Sequence, residues 1–230
     1  MRNVRIIFFV NTRFAGYTIS TIMELLGKIF NNANRVKIMR LFLFSDGAPL
    51  TIDLVSDRSQ VRKDSTRKEL NSLTKIGLLL KKEFTEKVAT KPTKKQPEGG
   101  FKKVKQKGWM LNPKFILIEP LKSLLIDTEL INSKEIVRRI RQAGNVSMLV
   151  LSGLFVRDEG RKIDMLVVGD KVDEKILSRQ ISVIESEIGK ELSYAFFSTE
   201  EFQYRMGMYD KLLRDVLENT HTTLVNKILL

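Results

Sequence analysis

The sequence predicts an α+β protein in two parts, in which helices and a β-hairpin are followed by a small α/β domain. Two observations indicate this division. Apolar residues recur at helical spacing in the first part, whereas short β-like runs alternate with helical periods after residue 145. Charge divides at the same place, because the first 144 residues contain 29 basic and 13 acidic side chains and the rest contains 11 and 14. A chain of 230 residues can bury a core in each part.

The charge of the first part indicates a polyanionic partner, and a generally basic surface is the alternative interpretation. The chain contains no cysteine, which excludes disulfides and thiolate metal sites and predicts a reducing, cytoplasmic location. The longest early apolar run, Ile6–Val10, is too short for a signal-peptide core or a membrane span. We therefore expect a soluble protein with no membrane association.

Three helices are expected in the first part, and Gly and Pro residues after the second one end it. Thr66 and Glu69 have the spacing of a capping box at the start of the third helix. Residues 1–22 show neither clear periodicity nor a familiar motif, so we expect a peripheral segment, consistent with an upstream start codon. The predicted helices are Thr21–Phe30, Ala33–Phe44 and Asp64–Ile76, with a short segment at Thr51–Val55 and a polar break at Ser56–Lys63.

A lysine-rich hairpin follows the third helix. Leu78–Lys82 and Lys102–Leu111 are predicted to be its strands, and Glu83–Gly100 is predicted to be a long flexible tip. Ten lysines and three glutamates lie between Lys81 and Lys107. Lysine is a mobile point charge that suits phosphate contacts, so the hairpin is predicted to contact a phosphate backbone. The alternative interpretation is a disordered, solubilising loop.

Three helices followed by a two-stranded hairpin is the order of a winged helix-turn-helix. On the third helix, Leu70 and Leu73 fall on one side and a group of cations with an asparagine falls on the other. Cations meet phosphates or guanine edges, and asparagine can pair with adenine, although an ordinary solvated helix face remains the alternative. The expected DNA-binding residues are Arg67, Lys68, Asn71 and Lys75 of this helix and Lys94, Lys95, Lys102 and Lys103 of the hairpin.

The second part is predicted to run strand, strand, helix, strand and helix. A basic amphipathic helix, Ser133–Ala143, precedes it and ends at Gly144. The predicted elements are strands Val146–Leu151, Ile163–Val168 and Leu192–Phe197, a helix Ile176–Ile188, and a final helical region from Ser198 through Leu217.

One motif in this part resembles a known family. The run from Ser152 to Asp170, with Gly153 in a turn and Asp164 at the next strand, is similar to the signature of the minimal nucleotidyltransferases of the DNA polymerase β superfamily. Residues 23–230 resemble bacterial and archaeal proteins in which a winged helix precedes such a domain. The other matching segments are Ala33–Phe44, Ser65–Leu78, Gly108–Asn112, Gly189–Glu191 and Glu201–Phe202.

The resemblance implies catalytic groups that this sequence lacks. Nucleotidyl transfer uses two Mg²⁺ ions held by three carboxylates, and a Gly-Ser turn that binds phosphate. Here Leu154 replaces the serine, Lys162 replaces one carboxylate, and the third strand offers none, so of the three only Asp164 remains. Asp158 and Glu159 are loop carboxylates that offer a weaker route to a metal site. Asp164 is then either a relic or a cap for the Gly153 turn.

We therefore expect a DNA-binding transcriptional regulator whose second domain is a degenerate nucleotidyltransferase used for dimerisation, ligand sensing or partner docking. The expected partners are double-stranded DNA and a second copy of the chain, with a nucleotide or protein as ligand of the second domain, and no cofactor is expected. An active nucleotidyltransferase of the toxin–antitoxin type and a protein adaptor are the alternatives. The expected division is a peripheral segment 1–22, a winged helix 23–112, linker helices 113–144 and a nucleotidyltransferase-like domain 145–230.

Overall fold

The computed structural model describes residues 25–90, 100–126, 133–158 and 160–228, and it shows a mixed α+β chain with two small sheets. The predicted peripheral segment 1–22 lies outside these ranges. The elements up to residue 126 are α1 (Ala33–Leu43), α2 (Ile52–Ser59), α3 (Lys63–Lys75), β1 (Leu79–Thr90), β2 (Gly100–Leu111) and α4 (Ile118–Leu125). Those after it are α5 (Ser133–Ile140), β3 (Asn145–Leu151), β4 (Met165–Asp170), α6 (Glu174–Ile188), β5 (Tyr194–Phe197), α7 (Thr199–Gly207), α8 (Lys211–Leu217) and β6 (Thr222–Asn226).

The first core joins α1, α2, α3 and α4 to the base of the β1–β2 hairpin. Val36, Phe42 and Leu70 are fully buried in it, and Trp109 of β2 packs against it from the side. The segment predicted as a linker contributes to both cores, because Leu125 of α4 belongs to the first and Ile136 of α5 belongs to the second. Residues 25–29 are also helical, which agrees with the described part of the first predicted helix.

Helix α2 was not predicted, and the interpretation of residues 51–63 as a short segment and a polar break was wrong. Thr51 begins the helix, since its hydroxyl accepts a hydrogen bond from the Leu54 N–H at 3.3 Å. Gln60 ends it in the left-handed conformation, with φ of 52°. Only Val55 and Ser59 are buried, so this eight-residue helix shows too narrow an apolar face to be detected by periodicity.

The capping box predicted for α3 is also wrong. The helix begins at Lys63, with Arg62 as an N-cap that makes no side-chain hydrogen bond. Thr66 lies within the helix, and its hydroxyl donates to the backbone carbonyls of Val61 and Arg62, both at 3.2 Å. Its predicted partner Glu69 instead contacts α1, and this tertiary contact takes precedence over the local pattern.

The hairpin is longer than predicted, since residues 83–90 and 100 belong to its strands and not to a flexible tip. Its antiparallel register runs without interruption from Leu79 opposite Leu111 to Thr90 opposite Gly100. Residues 83–90 were not predicted as a strand because their polar sequence shows no alternation of apolar and polar residues. Backbone hydrogen bonding between strands does not require such alternation. Residues 91–99 lie outside the described ranges.

The second sheet has the strand order β5–β4–β3–β6 and is covered by helices on both faces. Strands β3 and β4 pair antiparallel, and β4 and β5 pair parallel through the crossover helix α6. Leu149 and Val167 pack on one face with α5 and α6, while Val150 and Leu166 pack on the other with α7 and α8. Burial on both faces explains the uninterrupted apolar runs from which β3 and β4 were predicted.

The end of the chain differs from the prediction in two ways. The single helical region expected through Leu217 is divided, because Asp210 accepts hydrogen bonds from the N–H groups of Leu212 and Leu213 and begins α8. Strand β6 then pairs antiparallel with β3 and completes one edge of the sheet. Its five residues include only one buried side chain, Val225, so the sequence pattern did not reveal it.

Gly108→Ala is expected to destabilise the hairpin base. A Cβ at this position would lie 2.5 Å from the backbone oxygen of Leu50 and 2.9 Å from the Phe84 ring, and the backbone cannot yield without breaking the pairing there. Overpacking of this kind costs about 1–3 kcal/mol, which thermal denaturation will detect. Gly207→Ala is the matched control, since nothing lies within 4 Å of its Cβ position. Equal melting temperatures for the two variants would contradict the close approach.

Candidate nucleic-acid interface

Helix α3 presents two different faces, as its sequence predicts. Leu70 and Leu73 are fully buried against the first core. The four predicted DNA-contacting side chains of this helix project from the opposite, exposed side; they are Arg67, Lys68, Asn71 and Lys75. The structure thus brings three cations and one amide together on one surface of a single helix.

The buried side of α3 is fixed to α1 by polar contacts as well as by apolar packing. Glu69 accepts hydrogen bonds from Nδ2 of Asn32 and from Nε of Arg35, both at 2.7 Å. The same arginine donates to the Ser72 hydroxyl at 3.3 Å. Charge-assisted bonds of this kind hold a helix in one orientation, so the exposed face of α3 is displayed rigidly. Sequence reasoning assigned Glu69 to a cap and did not find this role.

A three-residue turn connects α2 to α3. Gln60 is left-handed, Val61 is buried, and Arg62 precedes the first turn of α3. Lys63 and Asp53 form an ion pair across the two helices. A turn of three residues has the length that joins the two helices of a helix-turn-helix motif.

The base of the hairpin is held to the segment between α1 and α2. Leu50 donates from its N–H to the Trp109 carbonyl at 2.8 Å, and Trp109 donates back to the Leu50 carbonyl at 2.9 Å. Leu50 therefore forms a one-residue antiparallel bridge on the outer edge of β2. This bridge fixes the direction in which the hairpin leaves the helices.

The hairpin carries a row of lysines on one face. Residues opposite one another in the register, and residues two apart in a strand, share a face. By this rule Lys81, Lys103, Lys105 and Lys107 lie on the same side and all are exposed, and we call them the lysine face. The predicted contact Lys102 is exposed on the opposite side, and Lys94 and Lys95 lie outside the described ranges.

The turn at Gly153 is closed by the carboxylate of Asp164. Its Oδ1 accepts a hydrogen bond from the Leu154 N–H at 2.7 Å, and its Oδ2 accepts one from the Ser193 N–H at 2.9 Å. Of the two alternatives for this residue, capping of the turn agrees with these bonds. Asp164 thereby joins the 3-10 turn Gly153–Val156 to the residue that precedes β5.

The charged residues beside this turn make ion pairs and hydrogen bonds within the protein. Arg161 forms ion pairs with Asp158 at 2.8 Å and with Asp215 at 3.3 Å, so Asp158 is already paired with a cation. The Lys162 side chain is exposed, and its backbone N–H donates to Asp215 at 3.2 Å. Glu159 lies outside the described residues. Within the described ranges, no group of three or more histidine, aspartate or glutamate side chains is placed to hold a metal ion.

A buried arginine connects the two cores, and sequence reasoning missed it. Arg40 of α1 is 1% exposed; its Nε donates to the Leu125 carbonyl and its Nη1 donates to the Glu187 carbonyl, both at 2.8 Å. These carbonyls lie in the last turns of α4 and α6, where they have no partner within their own helices. Burial lowers the pKa of Arg40 to about 10, so the guanidinium stays charged at neutral pH.

Further contacts reinforce this junction. Lys37 donates to the Ser186 hydroxyl at 3.2 Å, and burial lowers the pKa of its ammonium group. Arg58 of α2 pairs with Glu191 at 2.6 Å. A Cβ on Gly189 would lie 2.6 Å from backbone atoms of α1, which shows how closely α6 approaches that helix. Helices α1 and α2, which both pack against α3, are thus attached directly to α6.

No family model, no curated protein and no solved structure matches the chain significantly. Among the residues that the structure describes, no helix has the length and apolar character that crossing a bilayer requires.

Proposed function

We propose that this protein binds duplex DNA in a sequence-specific manner through α3 and the hairpin, as a winged helix-turn-helix regulator of transcription. The observation that carries the proposal is the exposed face of α3. Its three cations and one amide project from a helix whose other side is held by Leu70, Leu73 and Glu69. A rigid helix of this kind fits the major groove, where asparagine and arginine can read base edges.

The hairpin supports the proposal with an independent charge pattern. Lys103, Lys105 and Lys107 repeat every second residue on one face of β2, about 7 Å apart. Among the described side chains of the hairpin, one ion pair involves this row, between Lys107 and the exposed carboxylate of Glu83 at 3.5 Å. A row of exposed cations neutralises phosphates without reading sequence, which complements base contacts made by α3.

The order of elements agrees with this class. Helix α1, the Leu50 bridge, helices α2 and α3, and then the hairpin follow one another as in a winged helix, with the bridge lying beside β2. One such module buries too little surface for a specific site, so we propose that the protein acts as a homodimer. We also propose a cytoplasmic location, for which the absence of cysteine is the support.

We further propose that the second part is a non-catalytic relative of the nucleotidyltransferases. Asp164 uses both carboxylate oxygens to accept backbone N–H groups, which is a structural role. Lys162 places a positive charge where the family has a metal-binding carboxylate, and a cation there opposes Mg²⁺. The close junction at Arg40 supports a role for this part in transmitting dimerisation or ligand binding to the DNA-binding helices.

Selection of DNA from a random duplex pool tests the proposed function directly. We expect the full chain to enrich one short motif, and the selected site to be bound at least about 10³-fold more tightly than random duplex at moderate salt. A motif present as an inverted repeat with half-sites about one helical turn apart supports the homodimer. Failure to enrich any motif, together with equal affinity for all duplexes, would refute sequence-specific binding.

A further inference from the structure

Most of the β1–β2 hairpin has nothing packed on it within the described part of the chain. Its base contacts α3 and the Leu50 bridge, but from Lys82 outward the described side chains are exposed, with Phe84, Val104 and Gln106 half-buried. A two-stranded ribbon alone is only marginally stable in water. The ribbon has twelve residues in each strand and extends from the core. We therefore expect it to be stabilised by contact with the surface of a binding partner.

The lysine face indicates the nature of that surface. Its four cations lie on the side of the ribbon that begins at Trp109, against the first core, and continues outward to Phe101. Neighbouring positions on this face are separated by about 7 Å. Such spacing allows successive ammonium groups to contact successive phosphates of a sugar-phosphate backbone. Charge complementarity thus selects a nucleic acid, in agreement with the function proposed above.

Phe101 is an exposed aromatic residue on this face, which also carries Glu83 and Thr85. The side chain is 79% exposed, and the residue pairs with Ala89 one position from the end of the described register. It lies on the same side as Lys103 and Lys105. Lysines suffice for solubility and for phosphate contacts, whereas an exposed phenyl ring offers apolar area and a flat surface for stacking.

We propose that Phe101 is a wedge that enters the minor groove of bound DNA and inserts between two base steps, bending the duplex. This inference rests on the proposed DNA binding and adds a second mode of recognition to it. Apolar side chains inserted in this way kink DNA by about 20–90° towards the major groove. The lysine face then follows the backbone as the bent duplex approaches the hairpin.

The hairpin is long enough for this placement. Phe101 lies eight residues from Trp109 along β2, a span of about 27 Å. With α3 in the major groove, the centre of the adjacent minor groove lies about half a helical turn away, on the order of 17 Å. The ring therefore reaches past the groove occupied by α3 to the next one. Insertion at a flexible pyrimidine–purine step would require the least distortion energy.

Energy transfer between dyes at the two ends of a duplex of about 30 base pairs, which carries the selected site, tests the wedge. The parent complex is expected to bend by at least about 20°. Phe101→Ala is expected to lose most of the bend while its affinity falls less than about tenfold, and Phe101→Leu to retain bending. Lys105→Ala should instead lower the affinity and its salt dependence and keep the bend, because it removes charge only.

Tyr204→Ala provides the matched control, since it removes an exposed aromatic ring from α7, in the second part of the chain. It should leave bending as in the parent. A straight parent complex, or equal bending by the parent and Phe101→Ala, overturns the wedge and leaves DNA binding intact. If the parent protein binds no duplex at moderate salt, it is the proposed function that fails, and the wedge fails with it. Circular dichroism of each variant establishes that its fold is retained.

Discussion

Replacement of Arg40 by alanine is expected to lower the free energy of unfolding by about 3–5 kcal/mol, the range found when one partner of a buried charged network is removed. The guanidinium donates to carbonyls at the ends of α4 and α6. Without it, both acceptors are left without this donor and a cavity forms between the two cores. For a chain of this size the melting temperature should fall by about 6–20 °C.

Three further variants separate the causes. Arg40→Met fills much of the volume without donating a hydrogen bond, so it should recover only the part of the loss that is due to the cavity. Arg40→Lys keeps the charge, but its single ammonium group lacks the planar fork that reaches both carbonyls, and it should recover part of the stability. Arg179→Ala, at an exposed position of α6, is the control. If Arg40→Ala is as stable as this control, the coupling of the two cores through Arg40 is refuted.

Replacement of Arg67 or Asn71 by alanine is expected to cost about 1–3 kcal/mol of binding to the selected site and little on random duplex. Each side chain lies on the exposed face of α3, and a lost base contact removes discrimination and not general attraction. The measurement is a titration of labelled selected and random duplexes at one salt concentration. A parallel loss on both duplexes would identify these residues as phosphate contacts instead.

Neutralising three of the four lysines of the lysine face should act differently. The triple variant Lys103→Gln, Lys105→Gln and Lys107→Gln is expected to weaken binding to all duplexes alike. It should flatten the dependence of log affinity on log salt by about 0.9 per phosphate contact, or close to 3 in total. A variant that removes the same charge from the second part, at the exposed residues Lys162, Lys171 and Lys175, is the control. Identical salt slopes for the two triple variants would show that the hairpin does not contact DNA.

The sequence predicted the elements whose patterns are local, and it did not predict those that depend on contacts between distant residues. Helix α3 and strands β3 and β4 were predicted nearly to their ends because their apolar patterns are strong and local. The exposed face of α3 followed from the same periodicity. Helix α2 and strand β6 were not found, since each buries only one or two side chains and depends on tertiary contacts for its stability.

The contacts that join distant parts of the chain could not be predicted from local patterns. Glu69 fits a capping box by spacing, yet it bonds to residues that precede it by more than thirty positions. Arg40 interrupts the apolar run Ile38–Leu43 of α1. A charged residue within such a run was the sequence signal that could have indicated a buried polar role. The acceptors at Leu125 and Glu187 are backbone carbonyls, which any residue type supplies, so no sequence pattern identifies them.

The position of Arg40 also has a consequence for synthesis of the protein on the ribosome. Its second acceptor, the carbonyl of Glu187, is made about 60 residues after its first, the carbonyl of Leu125. Translation adds about 5–20 residues per second, so the interval between the two acceptors is on the order of 3–12 s. During this interval the guanidinium in the nascent first core lacks one of its native acceptors. We expect that core to remain open to chaperones and proteases during this interval, and to become resistant to proteolysis only when α6 has left the exit tunnel.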